Sequence, residues 1–258
     1  MSSTAEVRSL RPNHIAEAEW RLRVDLAACY RIFDHLGWTE RIYNHITMRL
    51  PGPERHFLIN PYGLLYSEVT ASNLVKIDLE GTIVGPSDWP VNPAGFIIHS
   101  AIHAAREDAH CVMHTHTTEG MAVACLREGL SPDNFYGAIL DGQVAYHDFE
   151  GITVDPDEKS RLVANLGTRN VLILRNHGLL TCGATIPAAF MRLNVVQRAC
   201  EVQVMAQMTG RPLIQVSAEA RARSAAQHQG FDQTADYGVP LFEAMRREAD
   251  QADPSYRT

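Results

Sequence analysis

Two short apolar runs constrain this chain most. Val171–Leu174 (VLIL) and Leu179–Cys182 (LLTC) are separated by Arg175-Asn176-His177-Gly178. Continuous apolar runs of this kind, bounded by turn residues, read as buried strands. A sheet with buried strands needs helices over it, and the chain supplies them. Leu22, Leu26, Cys29, Tyr30, Phe33 and Leu36 recur at steps of three and four from about Glu17, and Gly37 suits the C-cap. Asn92-Pro93 opens a second helix, a cap residue followed by Pro at the first helical position, running to about Arg106. Thr117–Leu126 reads as helical, with Met121, Ala122 and Cys125 on one face. Asp155–Gly167 reads as a helix with acids in its first turn, and Ile186–Met208 as the last firm helix, stopped by Gly210 and Pro212. Short strands are expected from His45 (HITMRL), His56 (HFLIN), Cys111 (CVMHTH) and Gln143 (QVAYHDF), with a hairpin through Glu80-Gly81. The whole is a mixed sheet flanked by helices. Residues 1–16 form a flexible arm, 17–216 the main domain, and 217–258 a helical extension or tail with few large apolar residues.

Composition narrows the function classes. The 258 residues carry 23 Lys+Arg against 30 Asp+Glu, a net charge of −7, without any basic run, so a nucleic-acid partner is not expected. No apolar stretch approaches the ~18 residues of a membrane span. The N-terminus has no apolar core of a signal peptide. Five scattered Cys form no CxxC pair, which fits a reducing cytoplasm and argues against disulfides or a Cys zinc site.

Twelve His are plentiful for this length, and three of them stand in chemically pointed settings. His114-Thr115-His116 closes a strand just before a helix, and strand residues two apart point to one face, so both imidazoles can reach one ion. An isolated H-x-H is also what a surface strand carries by accident. His177 projects from the turn Asn176-His177-Gly178, where Gly178 permits a backbone path that most residues resist; a ring bonding loop carbonyls is the plainer alternative. Together they make three neutral imidazoles with open positions, the catalytic arrangement of a metal site rather than the closed structural one. Imidazoles admit several divalent metals. His99 and His103, one helical turn apart, read as packing residues; His14, His35, His45, His56, His110 and His228 take surface or turn roles.

Several segments together resemble the class II aldolase/adducin family, most closely its adducin-type head domains. They are INPYGLLYSEVTASNLVKIDLEG from Ile59, NPAGFIIHSAIHAAREDAHCVMHTH from Asn92, GQVAYHDFEGI from Gly142, and VLILRNHGLLTCG through ACEVQV from Val171. The resemblance spans roughly residues 20 to 215. It implies an α/β fold, an α/β/α sandwich around a mixed, largely antiparallel sheet, and a homotetramer with sites between subunits. It also implies a divalent metal, zinc first with Fe, Mn or Co admitted, held by His114, His116 and His177. Asn44 and Gly63 fall where the family binds substrate.

The departures from the family pattern matter as much. Sugar-phosphate aldolases of the family carry an acid/base Glu four residues before the position of His99; here that position is Gly95. The Ser pair that helps bind phosphate corresponds to Pro93-Ala94, and the phosphate loop survives only as Tyr43-Asn44-His45. Losing a general base costs roughly 10²–10⁴ in rate unless something replaces it. Tyr136, near the family's cross-subunit proton donor, and Glu119, three residues after His116, are the substitutes named as catalytic candidates. Tyr146, His147 and Asp148 lie in a further matching segment. Arg175 and Arg192 are the anion partners an unphosphorylated carboxylate would call on.

The expectation is a cytoplasmic, metal-dependent lyase acting on a small carbonyl or carboxylate substrate through a metal-stabilised enolate, by aldol cleavage or decarboxylation. The missing Glu tilts this away from sugar-phosphate aldol cleavage. The alternative is a non-catalytic, adducin-like binding or oligomerisation domain. Retention of all three His, and the absence of a basic tail after the head, weigh against that alternative.

Overall fold

The structure is a computed structural model that describes residues 11–151 and 157–258, and of residues 93–95 the backbone alone. Most of the expected N-terminal arm, and Asp155 and Pro156 at the expected start of one helix, lie outside the described residues. The described α-helices and strands are α1 (Glu17–Leu36), β1 (Ile46–Arg49), β2 (Phe57–Ile59), β3 (Val75–Ile77), α2 (Pro93–Ala105), β4 (Cys111–Thr115), α3 (Thr118–Ala124), α4 (Phe135–Ile139), β5 (Val144–His147), α5 (Glu158–Leu166), β6 (Val171–Leu174), β7 (Gly178–Gly183), α6 (Ile186–Met208), α7 (Ala218–Asp232) and α8 (Val239–Ala252). The seven strands form one sheet in the order β3-β2-β1-β4-β7-β6-β5. Every pairing is antiparallel except β5 with β6. This is the mixed, largely antiparallel sheet of the α/β expectation.

Side chains alternate across the central strands, so two different layers meet the sheet. Val171 and Ile173 of β6, with Cys111 and Met113 of β4, join the large core under α1, α6 and α8. Leu172 and Leu174, with Val112 of β4 and Leu180 of β7, join a smaller aliphatic core under α2 and α5. The α1 layer is aromatic. Phe33 meets Trp38 at 5.4 Å between ring centroids and Phe190 at 6.1 Å, and Phe190 meets Phe242 of α8 at 5.9 Å. Tyr30 Oη is a buried hub: it accepts from the backbone N–H groups of Ile46 and Asn60 and lies 2.5 Å from the Ile46 carbonyl, tying α1 to the ends of β1 and β2.

Local details refine the sequence reading. The buried face of α3 is Gly120, Val123 and Ala124, whereas Met121, Ala122 and Cys125 are exposed, because α3 packs on α6 and β7 from the other side. The hairpin through Glu80-Gly81 reduces to β3 and an isolated Ile77–Ile83 bridge, although Gly81 takes a left-handed φ of 82°. The short α4, capped by the Asn134 side chain accepting from the Gly137 N–H, had no periodic signal to reveal it. The segment after Ser217 is helical. Its few large apolar residues are deeply placed: Phe242 and Tyr256 are 1% and 0% exposed, and the Tyr256 carbonyl accepts from the Ala71 N–H.

Candidate metal centre

The centre of the sheet brings the two His motifs together. Thr115 of β4 pairs with Leu179 of β7, and Gly178 pairs with Leu174, so the β6–β7 turn overhangs the end of β4. His114, His116 and His177 meet there, with one ligating nitrogen of each within 4.8 Å of the others. The ring centroids are 4.6 Å apart for His114 and His116, and 4.8 Å for each pairing with His177.

The turn achieves this differently from the sequence expectation. The left-handed residue is Asn176, at φ 56°, whose N–H donates to the Ala124 carbonyl. Gly178 is required instead for close approach. A Cβ there would lie 2.3 Å from the Thr115 carbonyl oxygen, 3.2 Å from His116 Cδ2 and 3.3 Å from His114 Cε1.

Proton placement follows from the partners. The Leu179 carbonyl, 2.9 Å from His114 Nδ1, can only accept, so His114 carries its proton on Nδ1 and turns a lone pair outward at Nε2. His116 Nε2 lies 2.8 Å from that lone pair, so the two nitrogens converge on one point. Burial holds all three rings toward the neutral form. The His114 pKa is pushed well below the usual imidazole value by desolvation, then by the neighbouring His177 and His116. His116 is lowered by desolvation against the opposing charge of Glu40. His177 is pushed down to about 4, by burial first and His116 second. Three convergent, neutral nitrogens, one with its tautomer fixed by a backbone carbonyl, are a donor set that fits a divalent metal.

The other candidates are dispersed. Asn44, two residues before Ile46, whose strand partner is Met113, is 1% exposed, and neither of its amide atoms meets a hydrogen-bond partner among the described residues. Gly63 has a left-handed φ of 102° in an exposed turn, with open space where a Cβ would stand. Glu119 faces α6: its carboxylate is 3.5 Å from Gln197 Nε2, beside a cleft lined with Arg198, Glu201 and Met205. Tyr136 also belongs to that side, with the Arg198 guanidinium 5.7 Å from its ring centroid.

Arg175 and Arg192 are occupied structurally. The first donates to the Leu126 and Arg127 carbonyls over the Tyr146 ring. The second binds Asp232 and the Cys182 carbonyl. His147 is a satisfied strand residue, bonded to Asn165 and Glu158. His99 and His103 are buried and share the Thr47 hydroxyl, as packing residues would. His45 departs from its expected surface role. It is 3% exposed and lies between His99 and His114, at centroid distances of 4.1 Å and 6.1 Å. Period-2 alternation from Thr47 was the available signal for its facing α2. Glu40, whose charge reaches His116, was missed because nothing in its loop marks it.

Among the described residues no helix is long and apolar enough to cross a membrane. The class II aldolase and adducin N-terminal domain family matches residues 24–204. A Caulobacter vibrioides chain, named as a candidate aldolase class 2 protein, is 46% identical over 242 residues, covering 94% of each chain. Alpha-adducin of Rattus norvegicus is 51% identical over 191 residues, which cover 73% of this chain and 26% of the adducin. Among solved structures, an aldolase II superfamily protein from Pseudomonas syringae superposes with a TM-score of 0.92 at 44% identity, over 95% of this chain and 98% of that one. An L-fuculose 1-phosphate aldolase from Glaciozyma antarctica gives a TM-score of 0.79 at 29% identity, over 96% and 97%. The chain belongs to the class II aldolase and adducin N-terminal domain family.

Proposed function

We propose that the chain is a divalent-metal-dependent lyase that breaks a carbon–carbon bond beside a carbonyl or carboxylate in a small, unphosphorylated substrate. The carrying observation is the convergence of His114, His116 and His177 as neutral imidazoles within 4.8 Å. Zinc is the first choice of metal, and Fe, Mn or Co fit the same nitrogens. When bound, the metal supplies Lewis-acid stabilisation of negative charge developing on a substrate oxygen.

The chain's own residues set what surrounds that chemistry. Leu179 orients His114, and Gly178 lets His114 and His116 approach the turn that carries His177. Asn44 offers an unsatisfied buried amide, and its family position assigns it to substrate. Gly63, in its exposed turn, occupies the family's substrate-loop position. Gly95 removes the aldolase acid/base carboxylate, which favours decarboxylation over sugar-phosphate cleavage. Tyr136 and Glu119 lie on the α3–α6 side of the molecule, which supports their serving the site of a neighbouring subunit in a homotetramer. A cytoplasmic setting fits the unpaired cysteines.

The second reading, a non-catalytic adducin-like oligomerisation domain, rests on the 51% identity to alpha-adducin. A screen of the metal-loaded chain against keto acids, hydroxylated aromatic acids and aldols separates the two. Release of carbon dioxide or an aldehyde that stops in His177→Ala supports the lyase. Metal binding with no turnover of any class supports the second reading.

A further inference from the structure

Behind His114 stands a group of histidines that the three-ring centre does not use. His103, Thr47 and His99 form one hydrogen-bonded chain, and a single proton order satisfies it. The Ala109 carbonyl, 2.8 Å from His103 Nδ1, can only accept, so that nitrogen carries the proton and His103 Nε2 is a lone pair. The Thr47 hydroxyl, 2.7 Å from that Nε2, therefore donates to it. With its proton committed, the hydroxyl oxygen accepts from His99 Nδ1, also at 2.7 Å. His99 is thus an Nδ1–H tautomer. Its Nε2 is a bare acceptor, completely buried, that meets no hydrogen-bond donor among the described residues. The imidazole packed on His99 is His45, which in turn stands edge-on to His114. Burial keeps both α2 rings neutral: the His103 pKa falls to about 3 and that of His99 falls well below the usual value.

We propose that Thr47, His99 and His103 are positioning residues. Their fixed proton order locks the His99 ring, and the packing of His45 on that ring holds His45 against His114, on the α2 side of the centre, where Gly95 leaves no side chain one turn before His99. The effect on metal binding rests on the metal-centre reading, whereas the proton order is testable without it.

The first measurement is side-chain ¹⁵N NMR of the metal-free full-length chain near neutral pH. His99 and His103 should both appear as Nδ1–H tautomers; an Nε2–H signal for His99 overturns the proposal without recourse to any variant. The second compares Thr47→Val, which keeps the shape and removes the hydroxyl, with Thr47→Ser, which keeps the hydroxyl. In Thr47→Val the His99 tautomer should become mixed or inverted, and Co²⁺ alone should bind about tenfold more weakly, the lower end of what supporting residues contribute at metal sites. Thr47→Ser should match the unaltered chain in both. Unchanged Co²⁺ affinity in Thr47→Val, or equal weakening in Thr47→Ser, overturns the positioning role alone. Absence of Co²⁺ binding by the unaltered chain overturns the metal-centre reading and the positioning role with it.

Discussion

The two faces of the sheet differ in kind. The face under α1, α6 and α8 is a dry core built on Phe33, Trp38, Phe190, Phe242 and Tyr66. The face under α2 and α5 has a smaller aliphatic core and, among the described residues, every buried histidine: His45, His99, His103, His114 and His147. One strand serves both. In β4, Cys111 and Met113 point into the aromatic core while Val112 and His114 point the other way. The larger apolar core therefore lies on one side and the buried imidazoles on the other. Buried polar rings cost free energy unless their hydrogen bonds are made, and His103 and His147 make theirs at both nitrogens.

That contrast can be broken from either side. The largest effect is expected on the dry face. Phe190→Ala removes a ring that touches Phe33, Trp38 and Phe242, and should cost about 3–5 kcal/mol by denaturant unfolding. Metal affinity of the folded protein should stay within about twofold; a large loss would mean the two faces are coupled through the sheet.

Gly178→Ala acts where the faces meet the site. Its Cβ would stand 2.3 Å from the Thr115 oxygen and against two of the three rings, so β4 and the β6–β7 turn must separate. We expect about 1–3 kcal/mol of destabilisation, as for other overpacked sites, together with weaker metal binding. Loss of stability with full metal affinity would show that the turn does not set the ring geometry.

The mildest probe is acid. The pKa values of His99, His103, His114 and His177 are lowered on folding, chiefly by burial, with His103 at about 3 and His177 at about 4. Their unfolded counterparts bind protons below about pH 6.5, so stability is full above that value and falls as pH drops toward 4 and 3. The denaturant midpoint should decline between pH 6.5 and 4.5, above the range in which carboxylates titrate. A flat profile there would contradict the neutral, buried state of the α2 face.

Much of this was legible in the chain itself. The apolar runs of β6 and β7 and the Ile186–Met208 helix declared themselves because their periodicity is unbroken and their ends carry turn residues. The His114-Thr115-His116 pair was legible because alternation alone puts two rings on one face. The face of His45 was legible from its alternation with Thr47, but its seat between His99 and His114 was not, since that depends on β1 pairing with β4 and on α2 lying over both. The same limit explains Gly178, whose necessity comes from a carbonyl on another strand rather than from its own backbone angles. It also explains Phe242 and Tyr256, whose sparse apolar neighbourhood in sequence concealed how deeply they dock.

The central claim is that three imidazoles from two strand ends form one metal site. Calorimetric titration of the metal-free chain with Zn²⁺ tests it most directly, beside a folded variant carrying both His114→Ala and His116→Ala. The account predicts close to one Zn²⁺ per chain in the unaltered protein and none in the variant. An unaltered chain that takes up no metal, or a variant that still binds one equivalent, would contradict it.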